Sequence, residues 1–365
     1  DKEFNRLFNV FPERDINISI YLASIVNKYY SERNNKLYED KFWYDLGYKT
    51  SGILYLGLTL WLIDRMKKNN GEKLYLLSRD GYVIKKIYDL IGDKDKELPP
   101  AEYLYSSRRA FYIPSITKLD DETLNFLTNP LCNDLSVAQY LERIELNPDL
   151  YKDKIVMAGF SSKESRVKTD GDYKKLKQLF IMLEEDILKQ SGKERDILVK
   201  YFLQCDLLNN KVINIFDLGW YGSIQRGLKK LVNLINDKDI TVKGYYLGTH
   251  PVSSDLNTES YIINCGYPEE QFRILHSNTK VLESFFNAPH GSVLGFYEEN
   301  NEIKPLCDDI KFEAAAIEKM SVLQKGAIDF AIDFLYLKNK FKSIQISKYL
   351  AISPMIRLLN KPTCS

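Results

Sequence analysis

Hydrophobic and polar positions along the chain follow two rhythms, and the change from one to the other sets the outline of the fold. Near the start, "ISIYLASIVNKYY" and "WYDLGYKTSGILYLGLTLWLIDRMKKNNG" carry apolar residues at helical spacing. In the second stretch Gly47, Gly52 and Gly57 recur at five-residue steps, which predicts close packing against a neighbouring element. The rhythm then changes. "EKLYLLSRDGYVIKKIYDLIG" reads as an apolar strand over Lys73 to Leu77, a polar turn, and an amphipathic helix ended by Gly92. "AEYLYSSRRAFYIPSI" reads as a second short strand running into a basic turn.

Residues 118–210 carry helical patterns without a clear strand, and "DYKKLKQLFIMLEEDILKQSGKERDILVKYFLQC" suggests a helix broken near Ser191-Gly192. The strand–turn–helix theme returns at 212–235. "ITVKGYYLGTH" and "ESYIINCG" follow as strands, then a helix, a turn and a closing hairpin down to Leu306, and a helical tail from Asp308. Alternating strands and helices predict an α/β fold with a mainly parallel, Rossmann-like sheet. The expected organisation is a helical N-terminal segment (1–70), an α/β core (71–300) with its helical insert (118–210), and a helical C-terminal segment (301–365).

In an open α/β sheet, ligands sit beyond the carboxyl ends of the strands, where helix N-termini favour anions. Two strand ends are furnished for this: Ser78-Arg79-Asp80-Gly81-Tyr82 and Asp217-Leu218-Gly219-Trp220-Tyr221-Gly222-Ser223. Asp217 ends a buried strand, so its carboxylate faces the crevice and could accept bonds from vicinal sugar hydroxyls. Gly219 and Gly222 let backbone amides approach a phosphate, and Ser223 adds a hydroxyl donor. As plain structure, Asp217 and Ser223 would simply cap the following helix. Arg79 could clamp a phosphate, and Asp80 could hold a hydroxyl or act as a base. "YSSRRA" supplies Ser106, Ser107, Arg108 and Arg109 at a third strand end. Three donor-rich ends in one sheet suggest a ligand with two separated phosphates and a sugar between them.

Composition narrows the reading by exclusion. Lys plus Arg (51) balances Asp plus Glu (50) across 365 residues, so no global field favours nucleic acid. Five scattered cysteines and three histidines show neither disulfide nor metal-ligand spacing. The longest apolar run, Ile53 to Ile63, is 11 residues, short of the roughly 20 needed to span a bilayer. The chain starts at Asp1 without a signal-peptide pattern, which reads as a segment of something longer. A cytoplasmic location is expected, with peripheral attachment at the inner face of the cell membrane compatible with it.

The strand, acid, glycine-flanked turn and helix at 212–235 resemble the 5-phosphoribosyl 1-diphosphate (PRPP) loop of type I phosphoribosyltransferases, and "SRDG" is similar to their pyrophosphate loop. More closely, "LYLLSRDGYVIKKIYD", "YLYSSRRAFYIPSI", "FDLGWYGSIQRGL" and "LESFFNAPHGSVLGF" resemble the glycan phosphoribosyltransferases of bacterial surface-polysaccharide assembly. This likeness spans roughly Trp43 to Tyr297. It implies transfer of ribose 5-phosphate from PRPP to a glycan hydroxyl, giving a 5-phospho-β-ribofuranosyl glycan in capsule or O-antigen synthesis. It further implies Mg²⁺ with PRPP, a lipid-linked glycan acceptor, and an associated phosphatase domain or protein. The PRPP contacts would come from Ser78, Arg79, Asp80, Gly81, Tyr82, Ser107, Arg108, Arg109, Asp217, Gly219, Trp220, Tyr221, Gly222, Ser223 and Gln225. Glu283 and His290 would face the acceptor, and the catalytic acids would be Asp80, Glu283 and Asp217. One difference stands out: type I enzymes carry two adjacent acids at this strand end, whereas here the second position is Leu218.

Two other readings compete. A haloacid-dehalogenase-type phosphatase needs D-x-D directly after an apolar strand. The triplets Asp93-Lys94-Asp95, Asp170-Gly171-Asp172 and Asp237-Lys238-Asp239 instead fall in polar stretches. A non-catalytic scaffold that binds a phosphorylated ligand would use the same loops and the same 25 tyrosines.

Overall fold

Five short parallel strands organise the molecule. The computed structural model describes residues 16–33, 40–93, 95–129, 134–236, 239–250, 255–262, 269–309, 314–338 and 345–360. The strands are β1 (Leu74–Leu77), β2 (Ala101–Leu104), β3 (Val212–Asp217), β4 (Thr241–Tyr246) and β5 (Thr258–Ser260). They pair in the order β2-β1-β3-β4-β5, every pairing parallel. The fold is α/β and Rossmann-like, as the alternating pattern predicts.

Side chains of β1 and β3 leave alternately to two faces, and both faces are buried. Leu74, Leu76 and Phe216 enter one apolar cluster, while Tyr75, Leu77, Ile213 and Ile215 enter the other. The first face is covered by the helical N-terminal segment: α1 (Ile16–Lys28), α2 (Lys41–Leu46) and α3 (Gly52–Lys68). It also holds α4 (Gly81–Gly92) and the two C-terminal helices described below. The other face is covered by α5 (Arg108–Tyr112), the last helix of the insert, α11 (Ser223–Ile235) and a hairpin.

The insert comprises α6 (Asp121–Thr128), α7 (Val137–Glu142), α8 (Lys152–Met157), α9 (Asp170–Met182) and α10 (Glu184–Gln204). It builds an apolar core of its own around Tyr140, Leu141, Leu179 and Phe180. The break expected at Ser191-Gly192 does not occur. The interruption falls at Leu183, and α10 runs through the Ser-Gly pair unbroken. Ser191 is buried, with its hydroxyl donating to the carbonyls of Ile113 and Ile116, so tertiary contact holds the helix where local propensity would weaken it. Of the polar Asp triplets, 170–172 opens α9 within a capping box formed by Thr169 and Asp172, while Asp237-Lys238 lies outside the described residues.

After β5 come α12 (Glu269–Ser277) and α13 (Thr279–Phe286), then the hairpin β6 (Val293–Glu299) and β7 (Glu302–Cys307). A core boundary at 300 would cut this hairpin at its Asn300-Asn301 turn. Both strands pack on the core, so the helical C-terminal segment begins after Cys307, with α14 (Ala314–Lys338) and α15 (Lys348–Asn360).

The glycine steps of the N-terminal segment do mark close packing. A Cβ at Gly47 would strike the carbonyl of Leu323, at Gly52 the ring of Phe330, and at Gly57 the side chain of Ala351. N- and C-terminal segments are thereby locked together. Asp333 of α14, 1% exposed, completes the join. It accepts two bonds from Arg33 (2.7 and 3.0 Å) and one from the Tyr48 hydroxyl (2.9 Å), and pairs with Lys28 at 3.1 Å. Burial works to raise this carboxyl, yet Arg33, Tyr48 and Lys28 together outweigh it and hold it below the usual carboxylate range. Asp333→Ala is therefore expected to cost about 2–3 kcal/mol by removing the charge-assisted bonds of Arg33 and the Tyr48 bond, while Arg33 keeps Asp329 at 2.9 Å. Urea unfolding measures this, and a loss under about 1 kcal/mol would show the cluster to be dispensable.

Candidate functional site

The helices after β1 and β3 depart to opposite faces of the sheet. α4 buries Val83, Ile84 and Ile87 in the first cluster, and α11 buries Leu228, Leu231 and Val232 in the second. Since β1 and β3 are hydrogen-bonded neighbours, their carboxyl ends border a crevice at the point where strand order reverses. Asp80 stands at the head of α4, and Asp217 is the last residue of β3. The crevice therefore carries an acid from each side.

These acids are within hydrogen-bonding reach of each other. Asp217 is 6% exposed and accepts the Leu218 amide at 2.9 Å. Burial first, then the charge of Asp80 and the bond it donates to Asp80, drive the Asp217 carboxyl well above its usual range, against the Leu218 amide and Arg108. Asp80 is partly buried by exposure but lies deep among protein atoms. Burial and the charge of Glu283 push it up to about 6, opposed by Asp217, Arg79 and the Leu218 amide. The pair thus retains one proton toward neutrality, held by Asp217 and shared with Asp80. The second acid that Leu218 does not provide arrives from the adjacent strand.

Glu283, on α13, is the third acid. Burial raises its carboxyl against the pull of Arg108, Arg79 and Lys280. Arg79 and the exposed Arg108 make no side-chain hydrogen bond or ion pair among the described residues. Two guanidinium groups thus border a crevice of three carboxyls, with their donors uncommitted.

The turn after β3 is shaped for close approach. Gly219 has φ +140°, and a Cβ there would collide with the Gly248 carbonyl. Gly222 has φ +65° and sits at the N-cap of α11, where a side chain would meet Leu256. Gly222 offers no side-chain cap, so the amides of Ser223, Ile224 and Gln225 begin the helix without one. The Ser223 hydroxyl is likewise uncommitted among the described residues. Neither Asp217 nor Ser223 caps this helix, which removes the plain structural reading for both. Gly81 opens α4 pressed against Leu76 of β1, where a Cβ would find backbone at 2.7 Å. Both loops turn through non-proline cis peptides, Ser78-Arg79 and Gly219-Trp220.

No family model matches the chain, and no curated protein matches it.

Several residues expected at the ligand are drawn into the fold instead. Arg109 forms a bidentate pair with Glu194 (2.8 and 2.9 Å) and donates to the carbonyls of Arg143 and Leu294, tying the insert and hairpin to the sheet. Gln225 is 1% exposed, donates to the carbonyls of Val242 and Asn257, and accepts from the Tyr246 hydroxyl. Ser107 caps α5 and donates to the Val293 carbonyl, and Ser78 fastens β1 to the Ser106 backbone. Trp220, 4% exposed, is core; Tyr221 of the same turn stays 49% exposed. Tyr82 turns its ring toward Tyr103, with the Lys86 amine 4.3 Å from its centre.

His290 follows α13 in the loop leading to β6. Its Nδ1–H donates to the Gly291 carbonyl (2.8 Å), so its Nε2 accepts from the Tyr103 hydroxyl at 2.8 Å. Burial lowers its affinity for a proton, the Gly291 bond raises it, and Arg79 lowers it further. The ring is neutral near pH 7. Two tyrosines outside the expected set, Tyr103 and Tyr105, lie against it. Their signal was available in "YLY", two tyrosines at the end of β2, one of which packs on each face of the sheet.

An open cleft of about 430 Å³ between the insert and α11 is lined by Tyr112, Glu122, Lys230 and Leu234. It sits at the carboxyl end of α11, about 20 Å from Gly222 by helix rise. It is separate from the crevice. Among the described residues no helix is long and apolar enough to cross a membrane.

Proposed function

We propose that the protein is a phosphoribosyltransferase that moves ribose 5-phosphate from PRPP to a glycan hydroxyl in surface-polysaccharide synthesis. The observation that carries this reading is the acid pair Asp80–Asp217 at the switch point of the sheet, flanked by the uncommitted Arg79 and Arg108. PRPP has the complementary charge pattern: a diol between a phosphate and a diphosphate. The diol fits the acids, the 5-phosphate fits the amides at 223–225 and the Ser223 hydroxyl, and the diphosphate fits the two arginines.

In the proposed reaction the acceptor hydroxyl attacks the anomeric carbon opposite the diphosphate. The new C–O bond forms as the bond to diphosphate breaks, through an oxocarbenium-like state, and α becomes β. Arg79 and Arg108 stabilise the leaving diphosphate. Asp80, with its carboxyl pushed up to about 6, suits a base near neutral pH, and takes the acceptor proton. Glu283 is the second choice for that role.

Described residues contain no cluster of three or more metal-ligating side chains. Mg²⁺ would arrive with the diphosphate, since Mg²⁺ is usually held by one or two carboxylates plus phosphate oxygens. Asp217 would hold it, leaving Asp80 for the acceptor proton, and its positive charge would favour the diphosphate as a leaving group.

The test is incubation with PRPP, Mg²⁺ and a panel of lipid-linked or synthetic glycans, read by mass. A 5-phosphoribosyl adduct with release of pyrophosphate is expected. If PRPP is never consumed with any acceptor, the enzyme reading fails. A scaffold would keep ligand or partner binding in an Asp217→Ala variant without ever releasing pyrophosphate.

A further inference from the structure

Beside the acid crevice lies an aromatic wall that the proposed donor does not use. Tyr82, Tyr103, Tyr105 and His290 form a continuous chain of ring contacts, with centroids 5.8 Å (Tyr82–Tyr103), 5.3 Å (Tyr103–Tyr105) and 5.1 Å (Tyr105–His290) apart. Two come from the end of β2, one from the first turn of α4 and one from the loop before β6. β2 pairs only with β1 and is therefore an edge strand; Tyr103 packs on the cluster of the first face and Tyr105 on that of the other, so the rings meet around the carboxyl end of this strand. All four residues are half-buried, with one side of Tyr103 and Tyr105 packed on the two apolar clusters.

The wall touches the reacting groups electrostatically. The charge of Asp80 is felt at Tyr103, and that of Arg79 at His290. Lys86 lies over the Tyr82 end, 4.3 Å from the ring centre, whereas the Tyr103–Tyr105–His290 end is uncharged: the bond from Tyr103 to Nε2 and the bond from Nδ1–H to Gly291 fix His290 in one neutral tautomer. A phosphorylated group would be drawn to Arg79 and Arg108 instead. The rings meet edge to face (73° and 78°), so a single neutral ring face, that of Tyr105, suits the C–H face of an uncharged pyranose, whose hydroxyls reach past the ring edge.

We infer that Tyr105, with Tyr103 and His290, forms the acceptor subsite and stacks an uncharged pyranose so that one of its hydroxyls reaches Asp80 and Glu283. This rests on the transferase reading, and it specifies the acceptor end as a neutral sugar rather than a sugar phosphate or an acidic sugar. Tyr105 is the contact residue. Tyr103 is a positioning residue, acting through its bond to His290.

The experiment separates this inference from the reading beneath it. Saturation-transfer NMR on the full chain uses methyl β-glucopyranoside, methyl β-galactopyranoside and lactose, with glucuronic acid and glucose 6-phosphate as charged controls. Calorimetry with PRPP and Mg²⁺ runs in parallel. The expected result is transfer to the C–H protons of at least one neutral sugar, lost in Tyr105→Leu and kept in Tyr105→Phe, with PRPP heats unchanged in both. Circular dichroism checks that each variant is folded. Tyr103→Phe should weaken sugar binding and move the His290 ring resonances, a shift that mere loss of bulk would not cause. The inference is overturned if folded wild type binds no neutral sugar, if Tyr105→Leu binds as well as wild type, or if charged sugars alone bind. Absence of PRPP heat with sugar binding intact would instead sink the transferase reading and leave a saccharide-binding protein.

Discussion

Asp217→Asn is expected to reduce pyrophosphate release from PRPP by about 10²–10⁴-fold and, in the same protein, to raise stability at neutral pH. The two effects have one cause. Asp80 and Asp217 are pressed together beside Glu283, away from water, and their carboxyls resist ionisation. A group whose pKa is raised on folding contributes stability that is fully present below its unfolded value and lost as pH rises through the folded one. For Asp80 that window runs from the usual carboxylate value to about 6. Wild type should therefore lose roughly 1–3 kcal/mol from this pair between about pH 4 and pH 6, one pKa unit being worth about 1.4 kcal/mol. Asparagine can still accept the Leu218 amide and donate to Asp80, so it keeps the geometry while abolishing the proton uptake that folding costs Asp217 at neutral pH. Denaturant titrations at several pH values would show the variant's curve flatter and, at pH 7, higher. A variant less stable than wild type at pH 7 would mark Asp217 as a structural acid and remove the chief support for a catalytic pair.

The second large effect concerns the two arginines. Arg79→Met and Arg108→Met should each weaken PRPP binding by about 10–100-fold, because a charge-assisted bond to phosphate is worth about 1.5–3 kcal/mol. Neither guanidinium holds another side chain among the described residues, so unfolding midpoints should stay near wild type. Arg109→Met should do the reverse. It breaks the Glu194 pair and strands two carbonyls, lowering stability with little direct effect on donor affinity in the folded fraction. Calorimetry with PRPP beside urea unfolding separates the three. Equal loss of affinity in Arg108→Met and Arg109→Met would mean the diphosphate lies elsewhere.

Local pattern carried much of this site. An apolar run, a polar turn and an amphipathic helix suffice to place Asp80 and Asp217 at strand ends, because strand and helix periods are written in neighbouring residues. What local pattern does not carry is which strand ends are neighbours. Asp80 meets Asp217 only because β3, far along the chain, inserts next to β1. The same limit explains Arg109. Beside Arg108 it looks like a second phosphate ligand, and its partner Glu194 lies 85 residues away on a helix of the insert. Gln225 and Trp220 sit in a motif that resembles a ligand loop, yet helix phase turns the first toward β4 and packing draws the second into the core. The helix across Ser191-Gly192 was hidden for a related reason. Its continuity is set by carbonyls at 113 and 116 rather than by its own residues.

The join between N- and C-terminal helices has a consequence for how the chain is made. α3 is buried on nearly every side, and its glycine face is closed by Phe330 and Ala351. Between Gly57 and Ala351 a ribosome must add roughly 290 residues, about 15–60 s of synthesis at common rates. Throughout that interval a strongly apolar helix has emerged while its cover has not. Nascent chains stalled before α15 should therefore be the ones that chaperones hold and proteases cut, and release of the last helices should end that exposure in a single step.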